Sequence, residues 1–464
     1  GSGARHAVMH PREPSGFPAY ARLRRLLHNK GDRRSRAGRP TKRADAGFGG
    51  PAWPLGVKEC LESLHAKPRA RSILLLNDFS ASDPLGGGEI RINRLYSRIA
   101  EEYAVVLLCL GNGREMETRR LSDNFVELSV PKTPAHVKEE GRINSQFWIS
   151  ATDVVNSYMC EHNSLLRQSC DALLEACGVI VLVHPYMAKL LPRDLGKPVI
   201  YESLNYEYGL KEQLLGDHPS FRALLQQVET VERIACEASR MIITVSDCDQ
   251  VALAEHYALA AKPFVTIANG VDADRAEYLT NPFTKVKRLF SDCPVIAFVG
   301  SGHAPNRHAV EYILAHLAQQ LPDCYFVIVG SISDAFVGRR IPSNVLLFGA
   351  LRESYKNVLL RVSDIAINPL TEGSGSNLKL AEYFSWGLPT ITTPFGARGY
   401  TIGNEREAII CELNDFSARI TQLCADASLR ERLGANARDY ARRDLDWGTL
   451  ARRYIDAVLN AIPS

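Results

Sequence analysis

The 464-residue chain has no apolar run long enough to cross a bilayer. Its longest, Gly178 to Val183 and then His184-Pro185-Tyr186, falls far short of the roughly 20 residues that a spanning helix needs. No two of its eleven cysteines, scattered from Cys60 to Cys424, stand in a C-x-x-C spacing. Zinc binding and dithiol redox work are therefore not expected, and reduced thiols in a cytoplasmic protein are. Gly1-Ser2-Gly3 reads as the scar of a cleaved tag, and no charged-then-apolar segment follows it, so secretion through this end is not expected. A short tandem repeat is lacking too. What remains, 45% hydrophobic and 23% charged, is a globular balance with length for two or three domains.

The net charge of +3 hides an asymmetry. Residues 1–70 hold fifteen Lys/Arg against five Asp/Glu, leaving 40 against 47 in the rest. Basic runs such as Arg22-Leu23-Arg24-Arg25 and Lys30 to Arg36 sit beside Pro/Gly-rich stretches around Gly38 to Pro54, so residues 1–70 read as a separate basic extension or linker. Two readings stay open: a solvated linker or piece of an upstream domain, or an electrostatic foot on anionic lipid, each basic residue there contributing about 1 kcal/mol near such a surface. A nucleic-acid partner is not expected, because the runs lack interleaved aromatics.

From Ser72 the pattern becomes short β-branched and leucine-rich runs alternating with amphipathic stretches of helical length, the mark of parallel α/β units. Strands are predicted at Ile73 to Leu76, Ala104 to Leu110, Val179 to Val183, Val199 to Tyr201, Ile242 to Val245 and Phe264 to Ile267. Helices are predicted over Ile90 to Glu102 and Phe221 to Ala238, the latter from the spacing Phe221, Leu224, Leu225, Val228, Val231, Ile234. A second series follows: Val295 to Val299, Tyr325 to Val329, Val345 to Phe348, Ile365 to Ile367 and Thr390 to Thr392. The expected division is 71–270 for a first Rossmann-like domain, 271–445 for a second and 446–464 for a final helix, the joint falling near the turn Asn269-Gly270-Val271-Asp272.

The stretch Asn368 to Tyr383 reads strand, small-residue loop, helix. Gly373 and Gly375 let backbone approach a ligand closely, Ser374 lies between them, and Ser376 or Asn377 is placed to cap a helix whose N–H groups attract an anion. Leu378 follows, and Lys379 and Glu382, three apart, share a helical face: a cation for a diphosphate beside a carboxylate for vicinal hydroxyls. A surface ion pair behind a flexible loop is the plainer alternative. A second loop, Gly300-Ser301-Gly302-His303-Ala304-Pro305-Asn306, follows the first strand of the second domain, where ligands of open parallel sheets sit. It lacks the G-x-G-x-x-G spacing, and no acid ends the next strand, so an NAD site is not supported. In the first domain His184 ends a buried strand at the crevice edge, Asn205 and Glu207 follow the next strand, and Gly87 and Gly88 lie in the loop after the first. Asp247-Cys248-Asp249 and Asp272-Ala273-Asp274 match D-x-D by spacing, but a helix start and a turn account for them, and no metal is expected.

Taken in order, Gly86 to Glu89, Asn205-Tyr206-Glu207, Ser246-Asp247, Asn269 to Asp272, Gly300 to Asn306, Gly373 to Glu382 and Gly387-Leu388-Pro389 resemble the retaining GT-B glycosyltransferases often called group 1 or family 4. The resemblance spans most of the chain. It implies an α/β GT-B fold of two Rossmann-like, doubly wound domains facing a crevice, with a last helix, here Trp447 to Ala461, crossing back to the first. It also implies a donor held mainly by the second domain: Glu382 on the ribose hydroxyls, Gly375 to Leu378 cradling diphosphate and sugar, Lys379 on the leaving phosphate, and Gly300, Ser301 and Asn306 beside it. Ser374 stands where the family usually has a Glu, with Glu372 two residues earlier.

The expected function is thus retaining transfer, by a hexosyl- or deoxyhexosyltransferase, from a UDP-, GDP- or dTDP-linked donor to a glycan or lipid-linked glycan, as in bacterial-type surface polysaccharide assembly. His184 and Lys379 are the expected catalytic residues. Gly87, Gly88, Asn205 and Glu207 are assigned to the acceptor or its loops. No metal or other cofactor is expected, and the protein should be cytoplasmic or peripheral at the inner membrane face through residues 4–70. A non-catalytic GT-B-like module scaffolding a larger enzyme or binding a partner is the alternative.

Overall fold

The computed structural model describes residues 53–146, 150–215, 221–273, 287–290, 293–373 and 375–461. Most of the basic extension, Ser374 and Asp274 lie outside them. Two sheets carry the fold. The first comprises β1 (Ser72–Leu76), β2 (Ala104–Gly111), β3 (Glu117–Ser122), β4 (Phe125–Pro131), β5 (Val179–Val183), β6 (Val199–Ser203), β7 (Met241–Thr244) and β8 (Phe264–Thr266), in the order β3-β4-β2-β1-β5-β6-β7-β8. All its pairs are parallel except β3 with β4. The second comprises β9 (Val295–Val299), β10 (Tyr325–Val329), β11 (Val345–Leu347), β12 (Ile365–Asn368), β13 (Thr390–Thr392) and β14 (Ile409–Ile410), all parallel, in the order β11-β10-β9-β12-β13-β14.

Alternation along β1 divides the first core between two faces. Ile73 and Leu75 pack with Ile92, Leu95 and Tyr96 of the helix Gly87–Ile99, while Leu74 and Leu76 pack with Val57, Cys60 and Leu64 on the opposite face. Those last three belong to the helix Leu55–His65, so the end of the segment read as an extension is part of the first domain. β3, β4 and the two-residue β14 were not predicted. β3 is a charged edge strand, Glu117, Arg119 and Arg120 among its six residues, which suits an edge that must not pair further. β4 is broken as an apolar run by Glu127, whose buried carboxylate accepts from Ser80 Oγ at 2.6 Å and from Ala81 N at 2.7 Å. It thereby pins the loop after β1.

Trp447, Leu450, Ala451 and Tyr454 of the helix Trp447–Tyr454 are buried in the first domain's core with Ile73, Ile92 and Tyr96. Burying each of the larger ones stabilises by about 1.5–3 kcal/mol. The helix is entered through Asp446, whose side chain accepts from Gly448 N at 2.8 Å. Trp447 N donates to Val271 O at 3.2 Å and Val271 N to Leu445 O at 2.8 Å, so the two links between the domains run side by side. All eleven cysteines are free thiols. Among the described residues no helix is long and apolar enough to cross a membrane.

Candidate active site in the crevice between the sheets

Strand order reverses direction at β1/β5 in the first sheet and at β9/β12 in the second, and at such switch points the loops after adjacent strands part to leave a crevice. Asn77-Asp78 follow β1, His184 follows β5, Gly300 follows β9, and the loop beginning at Pro369 follows β12. The two crevices face each other. A Cβ on Gly87 would come within 2.8 Å of Leu378 Cδ1, and one on Gly375, whose φ is +64°, within 2.7 Å of Asn205 Oδ1. Glycine is therefore required at both places for the halves to meet.

On the second domain, Lys379 is half-buried and donates from Nζ to Asn306 Oδ1 at 2.5 Å, with the ring of Phe298 beneath, 4.5 Å from Nζ to its centroid. Asn306 in turn donates to Ser301 O at 3.0 Å, which closes the loop begun by Gly300. Among the described residues no carboxylate pairs with Lys379, and burial together with the positive charge of Arg398 lowers its pKa to about 7. Arg398 donates to Phe395 O at 3.1 Å and stacks on the Phe395 ring; a Cβ on Gly373 would lie 3.2 Å from its Nη2. Burial lowers the Arg398 pKa, with Asp249 across the crevice opposing.

Asn377 is the N-cap residue of the helix Leu378–Ser385, but its side chain donates to Gly396 O at 2.7 Å rather than capping. Ser376 does not cap either; its Oγ accepts from Asn269 Nδ2 at 2.9 Å. The expected side-chain cap is thus absent, which leaves the first N–H groups of that helix to whatever lies before them. Lys379 and Glu382 also part company: Glu382 forms an ion pair with Lys356 of the helix Glu353–Val362, away from Asn306. Glu372 pairs with His308 at 2.6 Å on the surface.

On the first domain, His184 has the unusual backbone φ of +67° and ψ of 146°. For a non-glycine residue such geometry costs on the order of 1–3 kcal/mol. Its side chain is 11% exposed, with Nδ1 3.0 Å from Asp78 Oδ1 and Nε2 3.1 Å from Glu207 Oε1. Burial works against a charge on the ring, but Glu207 and Asp78 outweigh it and raise the pKa to about 10. Both ring nitrogens are thus held by carboxylates. Glu207 also accepts from Asn205 Nδ2 at 2.9 Å and Tyr186 OH at 2.8 Å; burial raises its pKa, and His184 and Lys211 bring it down to about 2. Asn205 and Glu207 therefore belong to one hydrogen-bonded cluster. Gly88 faces Leu204 and Phe79 rather than the second domain.

Of the D-x-D pairs, Asp249 is the third residue of a helix capped by Ser246, whose Oγ accepts from Asp249 N at 3.1 Å, and Asp272 lies 3.6 Å from Arg94. Asp78, Arg398 and Lys356 were missed. Asp78 was findable as the second residue past a strand at a switch point, and Arg398 from the glycines around it after β13. Lys356 gives no signal in the sequence, because its role depends on where its helix packs.

Residues 293–426 match the family described as Glycosyl transferases group 1. No curated protein sequence matches the chain. Solved structures similar to it include sucrose-phosphate synthase from Thermosynechococcus elongatus, with TM-score 0.63 and 16% identity over 83% of this chain and 98% of that one. Anabaena Alr3699/HepE in complex with UDP gives 0.60 and 13% over 84% and 100%. WaaG, described as a glycosyltransferase involved in lipopolysaccharide biosynthesis, gives 0.59 and 16% over 83% and 99%. At these identities the likeness establishes the fold, which is GT-B. The likeness to group 1 glycosyltransferases expected from the motifs holds, and with the fold it indicates a glycosyltransferase.

Proposed function

We propose that the chain transfers a sugar, with retention of configuration, from a nucleotide-sugar donor to a glycan or lipid-linked glycan. The observation that carries this is the Lys379 ammonium, half-buried beside Arg398: among the described residues no carboxylate pairs with it, its proton is destabilised, and it stands in the first turn of a helix without a side-chain cap. A dianionic diphosphate satisfies all three at once. As the bond from sugar to phosphate breaks, negative charge grows on the departing oxygen, and groups already aimed at it stabilise it without rearrangement. No protein nucleophile is assigned. The departing phosphate oxygen takes the acceptor proton on the same face, while His184, held by Asp78 and Glu207, orders the first-domain wall against which the acceptor is set. The cationic pair supplies the charge that a metal would, so no resident cofactor is part of the proposal.

The base remains a choice among UDP, GDP and dTDP. Two neighbouring structures are described with UDP or UDP-glucose bound, which favours a uridine donor. WaaG supports a surface-glycan acceptor by its description. A cytoplasmic, membrane-peripheral placement rests on the charge of residues 1–70. A melting-temperature panel with UDP-, GDP- and dTDP-sugars tests the reading: a ligand at 100 times its Kd stabilises by about 2.7 kcal/mol. A shift with one nucleotide that disappears in Lys379→Met supports the site. No shift with any of them favours a non-catalytic module.

A further inference from the structure

Asn269 stands where the chain leaves the first domain after β8, and its side-chain amide is used at both ends. Oδ1 accepts from Arg91 Nη1 at 3.2 Å, and Nδ2 donates to Ser376 Oγ at 2.9 Å. Arg91 belongs to the first domain's helix Gly87–Ile99; Ser376 belongs to the second domain's loop before Leu378. Arg91 is fully buried and is oriented by Glu202 Oε1, 2.6 Å from Nε, and by Ala268 O, 3.0 Å from Nη1, while its Nη2 has no hydrogen-bond partner among the described residues. The other Glu202 oxygen accepts from Tyr96, whose hydroxyl lies 2.8 Å from that of Tyr454 on the crossing helix. One bonded series thus runs from the crossing helix through a buried ion pair to the interdomain link, and out into the loop. An ion pair this deep is a poor device for stability alone, since the desolvation cost rivals the attraction. It is a good one for fixing a direction.

We propose that Asn269 is a positioning residue that couples the relative setting of the two domains to the segment Gly375 to Leu378; the catalytic meaning rests on reading that segment as the diphosphate cradle. Asn377 pins the loop to its own domain through Gly396 O. Ser376 pins it to the other domain through Asn269, next to the backbone bond of Gly375 with Asp249, which neither Asn269→Ala nor Ser376→Ala touches. Asn269 adjoins Gly270 and Val271, where the two interdomain links are bonded together. A rotation there would turn the amide relative to Ser376 and release that bond, while the bond of Asn377 to Gly396 O, which lies within one domain, would stay.

Amide hydrogen exchange of the unliganded full chain reads this directly. In Asn269→Ala and in Ser376→Ala, exchange at residues 375–379 should quicken about tenfold, the scale of one lost hydrogen bond, with β5 unchanged. The double variant should be no faster than either single one, because both remove the same bond. Asn269→Asp, which keeps an acceptor for Arg91 and for the Ser376 hydroxyl, should stay within about twofold of wild type. Additive single effects, or unchanged exchange at 375–379, overturn the proposal. Should Asn269→Ala not fold, Ser376→Ala decides alone. With UDP as probe, the Asn269→Ala Kd should rise and the Asn269→Asp Kd should not, a split that simple destabilisation does not produce. Failure of any nucleotide to bind removes the cradle reading but leaves the exchange result standing.

Discussion

Lys379 donates to Asn306 Oδ1 at 2.5 Å, a bond that joins the first turn of the helix Leu378–Ser385 to the helix Ala304–Tyr312 and holds the ammonium over the Phe298 ring. Its partners are a neutral amide and an aromatic face, so burial and Arg398 bring its pKa down to about 7. Below pH 7 the ammonium is charged and ready for an anion. Above it, binding a diphosphate must first return the proton, so affinity for a nucleotide should fall about tenfold per pH unit from pH 7 until the pKa of the bound form is passed. Calorimetry in buffers of different ionisation enthalpy should show uptake of a proton near pH 8, and Lys379→Met should abolish it. Affinity independent of pH between 7 and 9 would contradict the assignment.

The same lysine should make the free protein less stable. Its folded pKa lies below that of the unfolded chain, so the unfolded state binds more protons and stability rises with pH through the window between about 7 and the ordinary lysine value of 10.5. Lys379→Met, similar in volume and uncharged, should raise the melting temperature of the unliganded protein at pH 7 while removing the shift with nucleotide. Such a trade is expected where a site stores unfavourable charge for its ligand.

Much of this was legible before the structure. Eleven of the fourteen strands coincide with runs bounded by turn residues in the sequence, and the helix Arg222–Ala238 shows its period in Leu224, Val228 and Val231. The loop Gly373 to Leu378 announced itself through small residues between a strand and a helix. What stayed hidden depended on partners remote in sequence. Nothing near His184 reveals that Asp78 and Glu207 take both its nitrogens, and nothing near Glu382 reveals Lys356. β3 was hidden for a different reason: an edge strand has charge rather than apolar periodicity.

The Glu382–Lys356 pair bears on the donor ribose. If Glu382 accepts from vicinal hydroxyls, it must share its carboxylate with Lys356, and the pair is 20–26% exposed, so its own contribution to stability is small. Glu382→Gln should weaken nucleotide binding about tenfold, while Lys356→Met should leave it within about threefold, because the carboxylate remains. Titration of both variants with UDP checks this. Equal losses would mean that the pair serves as a unit to hold the helix, not the ribose.

His184 gives the sharpest dependence on pH. Its folded pKa is raised to about 10 against 6.5 for the unfolded chain, mainly because Glu207 and Asp78 outweigh burial. The stabilisation this supplies is complete below about pH 6.5 and is lost as pH rises towards 10. Glu207 has the opposite sense, its folded pKa near 2 lying below the ordinary 4.5, so its share is present above pH 4.5 and lost as the pH falls towards 2. Chemical denaturation of wild type and His184→Asn should therefore show the larger difference at pH 6 and a shrinking one at pH 9. Nucleotide affinity should be spared in the variant, since Lys379 and Arg398 are untouched.

The basic segment calls for a deletion set by the fold rather than by charge. Removing residues 4–70 would take out Val57, Cys60 and Leu64, which are buried against β1 and β4, and would expose a core face. Removing residues 4–52 keeps that helix and still strips most of the positive charge. If these residues hold the protein to anionic lipid, wild type should sediment with phosphatidylserine vesicles at low salt, release as salt shortens the range of the attraction, and fail to bind after the 4–52 deletion, with the melting temperature unchanged. Binding that survives the deletion would move the contact onto the folded domains, and no binding at any salt would make the segment a linker.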